Sequence, residues 1–128
     1  MATRIQRLKK LLAVQEQLKA LHETRHAGHL ADAVAAAREA AEIGERVDAE
    51  GSLSSLFPDL YSRGIANAVA REQQSRALAA EEMRQIAKAT ARTSLVERNY
   101  RNAQRQDERE KGDRERLEAV SIARRKPG

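Results

Sequence analysis

Cysteine and tryptophan are absent, and one phenylalanine and two tyrosines are the only large aromatic side chains in 128 residues. The missing cysteine excludes a disulfide framework, a thiol nucleophile and a thiolate metal site, and it suits a reducing compartment. The shortage of aromatics leaves little to fill a compact core, so whatever core forms is thin. No run approaches the ~20 apolar residues of a membrane span, and the opening Met1-Ala2-Thr3-Arg4 lacks the apolar stretch of a signal peptide. Two prolines and six scattered glycines exclude a glycine-rich phosphate loop, since neither G-x-x-x-x-G-K-[ST] nor G-x-G-x-x-G occurs.

Charge and helix formers are what remain. Charged residues make up 34% of the chain, a composition shared by long helices, coiled coils and partly disordered chains, so periodicity has to decide between them. The formal charge of +5 is concentrated at the two ends: residues 1–19 carry five basic and one acidic side chain, residues 20–96 nine and eleven, and residues 97–128 ten and seven.

One break divides the sequence. In the stretch from Glu50 to Asp59, Gly51 suits a helix end, Ser52, Ser54 and Ser55 can supply capping oxygens, and Pro58 fits the first turn of a new helix. The expected fold is all-α: a single antiparallel two-helix coiled-coil hairpin with a C-terminal helical overhang. Helix 1 is expected over about 3–50, the turn over about 51–57 and helix 2 over about 58–125, with 126–128 disordered.

Thr3 and Gln6 have capping-box form at the start of helix 1. Ile5, Leu8 and Leu12 keep 3,4 spacing, and the same phase returns in Ala33, Ala36, Ala40, Ile43 and Val47. Gln15, Lys19, His22, His26 and His29 occupy that phase in between. The offset stripe Leu11, Val14, Leu18 and Leu21 predicts that the buried face rotates there. Gly28 and Gly44 are weak points. For helix 2 the expected seam is Ile65, Val69, Glu72, Arg76, Ala79, Met83, Ile86, Thr90, Thr93, Glu97 and Tyr100. At ~1.5 Å per residue helix 2 outruns helix 1, so an overhang is expected from Asp107, ending in a small apolar patch at Leu117 and Val120.

In such a hairpin, positions whose numbers add to about 110 lie side by side. Arg4, Arg7, Lys9 and Lys10 then neighbour Arg98, Arg101 and Arg105, forming either a positive tip or ordinary solvated faces.

His22-Glu23-Thr24-Arg25-His26 spells the His-Glu-x-x-His of zinc proteases. A working site of that kind needs a third ligand, a sheet and a cleft, and the sequence offers none, so no catalytic or cofactor site is expected. Incidental metal binding by His22, His26 and His29 stays open. Nucleic-acid binding is disfavoured, because Asp107, Glu108, Glu110, Asp113 and Glu115 interrupt the basic residues and there is no aromatic stacking platform.

The basic, leucine-rich start from Arg4 to Leu12, the lone central turn, and a second helix opening with Tyr61, Ile65, Ala68 and Val69 together carry a resemblance, as does the charged stretch from Glu97 to Lys111. They resemble the FliJ-type proteins of flagellar type III export, related to the YscO-type proteins of injectisomes. The resemblance covers most of the chain and departs from it in the histidine-rich middle of helix 1 and in Gly64. It implies a non-enzymatic coiled-coil stalk that enters the hexameric export ATPase and links it to a membrane export gate subunit, with export chaperones as further partners. It also implies a cytoplasmic protein peripheral to the inner membrane, with no small-molecule substrate and no nucleic acid. The residues that would carry partner binding are Arg4, Arg7, Lys10, Arg98, Arg101 and Arg105 at the basic tip, and Tyr61, Ile65, Ala68 and Val69 facing the gate. The alternative for the latter strip is that it packs on Val47, Leu56 and Phe57 to close the corner. The competing function is a free-standing coiled-coil adaptor.

Overall fold

A computed structural model describes residues 3–125, and the disorder expected for 126–128 lies outside them. Among the described residues there are two helices and no strand: α1 (Arg4–Asp48) and α2 (Pro58–Arg125), packed against each other as a helical hairpin. Among the described residues no helix is long and apolar enough to cross a membrane.

The ends of the helices follow from local hydrogen bonding. Thr3 and Gln6 form the reciprocal box: the Gln6 amide donates to Thr3 Oγ1 (3.1 Å) and the Thr3 amide to Gln6 Oε1 (3.0 Å). At the other end α1 stops at Asp48, two residues short of the expected boundary, and Gly51 turns the chain with φ of +77°. The serines serve α1 rather than capping α2. Ser54 Oγ donates to the Val47 carbonyl (3.0 Å), one of the last carbonyls of α1, and Ser52 Oγ accepts from the Ser54 amide (3.1 Å). α2 then opens on Pro58, whose missing N–H leaves no orphan donor, with Asp59 favourably placed in its first turn.

Ile5, Leu8, Leu12, Gln15, Lys19, His22, His26, His29, Ala33, Ala36, Ala40, Ile43 and Val47 of α1 are all buried or half-buried, an unbroken 3,4 alternation, with Ala37 and Gly44 half-buried beside it. The expected rotation of the buried face does not occur: Leu11, Val14, Leu18 and Leu21 are exposed. A one-residue offset turns the buried face by about 100°, and a continuous helix anchored in phase at both ends cannot make that turn and undo it within a few turns. Gly28 and Gly44 leave the helix intact.

Along α2 the seam runs Tyr61, Ile65, Ala68, Glu72, Ser75, Ala79, Glu82, Ile86, Ala89, Thr93, Val96, Tyr100, Ala103 and Asp107. Half of it is as expected. The other five places are displaced by one residue, to Ala68, Ser75, Glu82, Ala89 and Val96, and Val69, Arg76, Met83 and Thr90 are exposed. At four of the five displaced places the seam takes Ala, Ser or Val. Small residues there let two helices approach closely, and in the fifth place, beside Met83, the seam takes Glu82, which bonds His22 across it.

The chain divides into two compact units, one of Leu18–Lys88 and the other of Met1–Gln17 with Ala89–Gly128. In the first, a Cβ placed on Gly64 would stand 3.1 Å from Ile43 Cδ1, Glu39 pairs with Arg71, and His22 pairs with Glu82. Partner numbers fall along α1 as they rise along α2, so the helices run antiparallel. Ala33, Ala36, Ala68 and Ala79 are its buried residues. In the second unit the buried residues are Ala89, Val96 and Ala103, and Thr3, Arg4 and Ile5 share a shallow depression with Ala103, Gln106, Asp107 and Glu110. α2 continues from Lys111 to Arg125 beyond that depression, with Leu117 and Val120 exposed.

Candidate partner-binding surfaces

The histidine motif is built into the seam. A carboxylate can only accept, so His22 Nδ1–H donates to Glu82 Oε2 at 2.6 Å, and both side chains are largely buried. Thr24 Oγ1 donates to the Ala20 carbonyl (3.0 Å) of its own helix, and Glu23 is exposed. His26 and His29 are half-buried along the same stripe. Among the described residues no group of three or more His, Asp or Glu side chains comes together to hold a metal ion. Next to Glu82, the exposed Glu81 accepts from Gln85 (3.0 Å) and from Arg84 (2.8 Å). Those two bonds, Gln85 first, and the Arg84 charge hold its carboxyl below the usual range.

The basic residues expected to form a tip all lie in the unit of Met1–Gln17 with Ala89–Gly128, and Arg4, Arg7, Lys9, Lys10, Arg98, Arg101 and Arg105 are all exposed. Among the described residues none of them forms an ion pair. Arg105 donates to Asn102 Oδ1 (2.5 Å), and Arg4 lines the same depression as Asp107 and Glu110, so acidic side chains sit at the edge of this surface.

The strip at the start of α2 is placed differently from a free docking face. Ala68 is 0% exposed, and Tyr61 and Ile65 are half-buried in the seam. Tyr61 lines one depression with Ile43, Arg46, Leu60 and Gly64, and another with Val47, Ser54, Pro58 and Ile65. Ala68 therefore offers a partner nothing to touch, because it fills the space between the two helices. Val69, one residue on, is exposed.

Leu56 and Phe57, expected beneath Tyr61 in the corner-packing alternative, are instead exposed together with Leu53 and Leu60. Leu60 lies one residue before Tyr61 and so off the seam, and Leu53, Leu56 and Phe57 lie in the turn before α2 begins, where no helical period places them.

No family model, curated protein or solved structure matches this chain.

Proposed function

We propose that the chain is a non-enzymatic coiled-coil hairpin that works by binding other proteins, and that it serves as the stalk of a type III protein export apparatus. The observation that carries the coiled-coil part is the pair of unbroken 3,4 stripes, one per helix, each using small and polar residues as freely as large apolar ones. A strict 3.5-residue repeat favours left-handed supercoiling, and seam residues such as Gln15, His22 and Glu82 fix the register of the pairing at the expense of stability.

The export part is supported by the exposed basic residues Arg4, Arg7, Lys10, Arg98, Arg101 and Arg105 within one unit. Such charges speed and orient encounter with an acidic ring while adding only ~0.2 to 1 kcal/mol per exposed pair. In this proposal the hexameric export ATPase is the partner of that surface, and contact with the membrane gate falls to Val69 and the outer edge of Tyr61. The protein then works in the cytoplasm, at the periphery of the inner membrane.

The test is ATP hydrolysis by a purified hexameric export ATPase with the chain added. The native chain should stimulate hydrolysis, less so at high salt. The joint variant Arg4→Glu, Arg7→Glu, Arg101→Glu, Arg105→Glu should keep its helicity and lose the stimulation. No stimulation by the native chain rejects the export reading and leaves a free-standing adaptor.

A further inference from the structure

The turn end of the Leu18–Lys88 unit carries an apolar cluster that no part of the hairpin covers. Leu53, Leu56, Phe57 and Leu60 are 53%, 70%, 53% and 67% exposed. Backbone bonds hold them in successive turns: the amides of Leu56 and Phe57 both donate to the Leu53 carbonyl (3.0 Å each), and the Leu60 amide donates to the Phe57 carbonyl (3.2 Å). Separations of three and four residues in helical turns put side chains on one patch, and grouped exposed apolar side chains of this size mark binding surfaces.

The charges around the cluster are mostly acidic, with Arg46 and Arg63 the exceptions. From Glu42 to Asp59 there are five acidic residues and one basic, Arg46, and all six are exposed. We propose that this turn end is a docking surface for another protein, one that presents an apolar groove or helix face rimmed by lysine and arginine. The acidic rim repels an anionic membrane surface, and it repels the same turn end of a second copy. The inference stands apart from the export reading, since it uses none of the basic residues.

The probe is a fluorescein-labelled amphipathic helical peptide with leucine at its a and d positions and lysine elsewhere, compared with a counterpart carrying glutamate for lysine. Fluorescence anisotropy with the full chain should show the Leu/Lys peptide binding, more weakly as salt rises, and the Leu/Glu peptide binding at least tenfold more weakly. The triple variant Leu56→Ser, Phe57→Ser, Leu60→Ser should lose at least tenfold in affinity with its helical circular dichroism unchanged, because these side chains are exposed in the native fold. Leu117→Ser with Val120→Ser should bind as the native chain does. A second variant, Glu45→Lys, Glu50→Lys, Asp59→Lys, should exchange the preference between the two peptides. Equal binding by the triple variant and the native chain overturns the proposal, as does indifference to peptide charge. Flotation of the native chain with phosphatidylcholine vesicles, lost in the triple variant, makes the occupant a membrane. Concentration-dependent dimers lost in that variant make it a second copy.

Discussion

His22 on α1 and Glu82 on α2 meet across the helix interface with Nδ1 and Oε2 2.6 Å apart and both side chains largely buried. A bond of this kind fixes which turn of one helix faces which turn of the other, but contributes little net stability, because both groups lose water to make it. Truncating one partner leaves the other buried and unsatisfied. His22→Ala and Glu82→Ala should therefore each destabilise the hairpin by about 1 to 3 kcal/mol, while the double change His22→Leu with Glu82→Leu should match or exceed the native stability. Urea denaturation followed by circular dichroism measures all three. A double variant as unstable as the two singles added together contradicts the pairing.

Among the described residues two other polar atoms in the seam lack a partner. Gln15 Oε1 and Thr93 Oγ1 are buried without a hydrogen bond, both in the unit of Met1–Gln17 with Ala89–Gly128. A buried unsatisfied group costs about 1 to 3 kcal/mol. Gln15→Leu together with Thr93→Val should raise the midpoint of thermal unfolding, and a fall in the midpoint contradicts their burial.

The glycines separate by what a methyl group would meet. At Gly28 nothing lies within 4 Å, so Gly28→Ala should stabilise by about 1 kcal/mol through helix propensity alone. At Gly64 the new Cβ would stand 3.1 Å from Ile43 Cδ1, so Gly64→Ala should gain less or lose. Adding Ile43→Val to Gly64→Ala should recover part of the difference. Equal gains at positions 28 and 64 contradict the close approach of the helices.

The turn depends on one backbone conformation and one hydroxyl. Gly51→Ala forces a Cβ into the left-handed region at φ of +77° and should destabilise by about 1 to 2 kcal/mol. Ser54→Ala removes the bond to the Val47 carbonyl and should destabilise by about 0.5 to 1.5 kcal/mol. Ser55→Ala, by contrast, should leave the melting unchanged.

Much of this architecture was legible because helix ends carry local chemistry. The Thr3–Gln6 box, Gly51 and Pro58 each act within a few residues, so their pattern can be read without knowing the fold. The α1 stripe was legible at both ends, where apolar residues mark it. It was lost in the middle, where Leu11, Val14, Leu18 and Leu21 outbid Gln15, Lys19 and His22 in hydrophobicity, yet the unbroken helix keeps the polar set inside. On α2 the same preference for hydrophobicity selected Val69 and Met83 over Ala68 and Glu82. Hydrophobicity ranks single residues, whereas the interface is set by how closely two backbones approach, and that distance is written in neither helix alone. The apolar turn end was not legible for a different reason: Leu56 and Phe57 have the composition of core, but they lie in the turn, where no helical period says which way they face.

The choice between the two α2 seams decides which face partners can reach, and a sequence without cysteine allows it to be tested one position at a time. Single cysteines at 68, 75 and 89, and at 69, 76, 83 and 90, should be introduced and their reaction with a small maleimide timed under native conditions. The structure predicts that the first set is protected, reacting at least tenfold more slowly than in denaturant, and that the second reacts freely. Protection of positions 69, 76, 83 and 90 with free reaction at 68, 75 and 89 would contradict it.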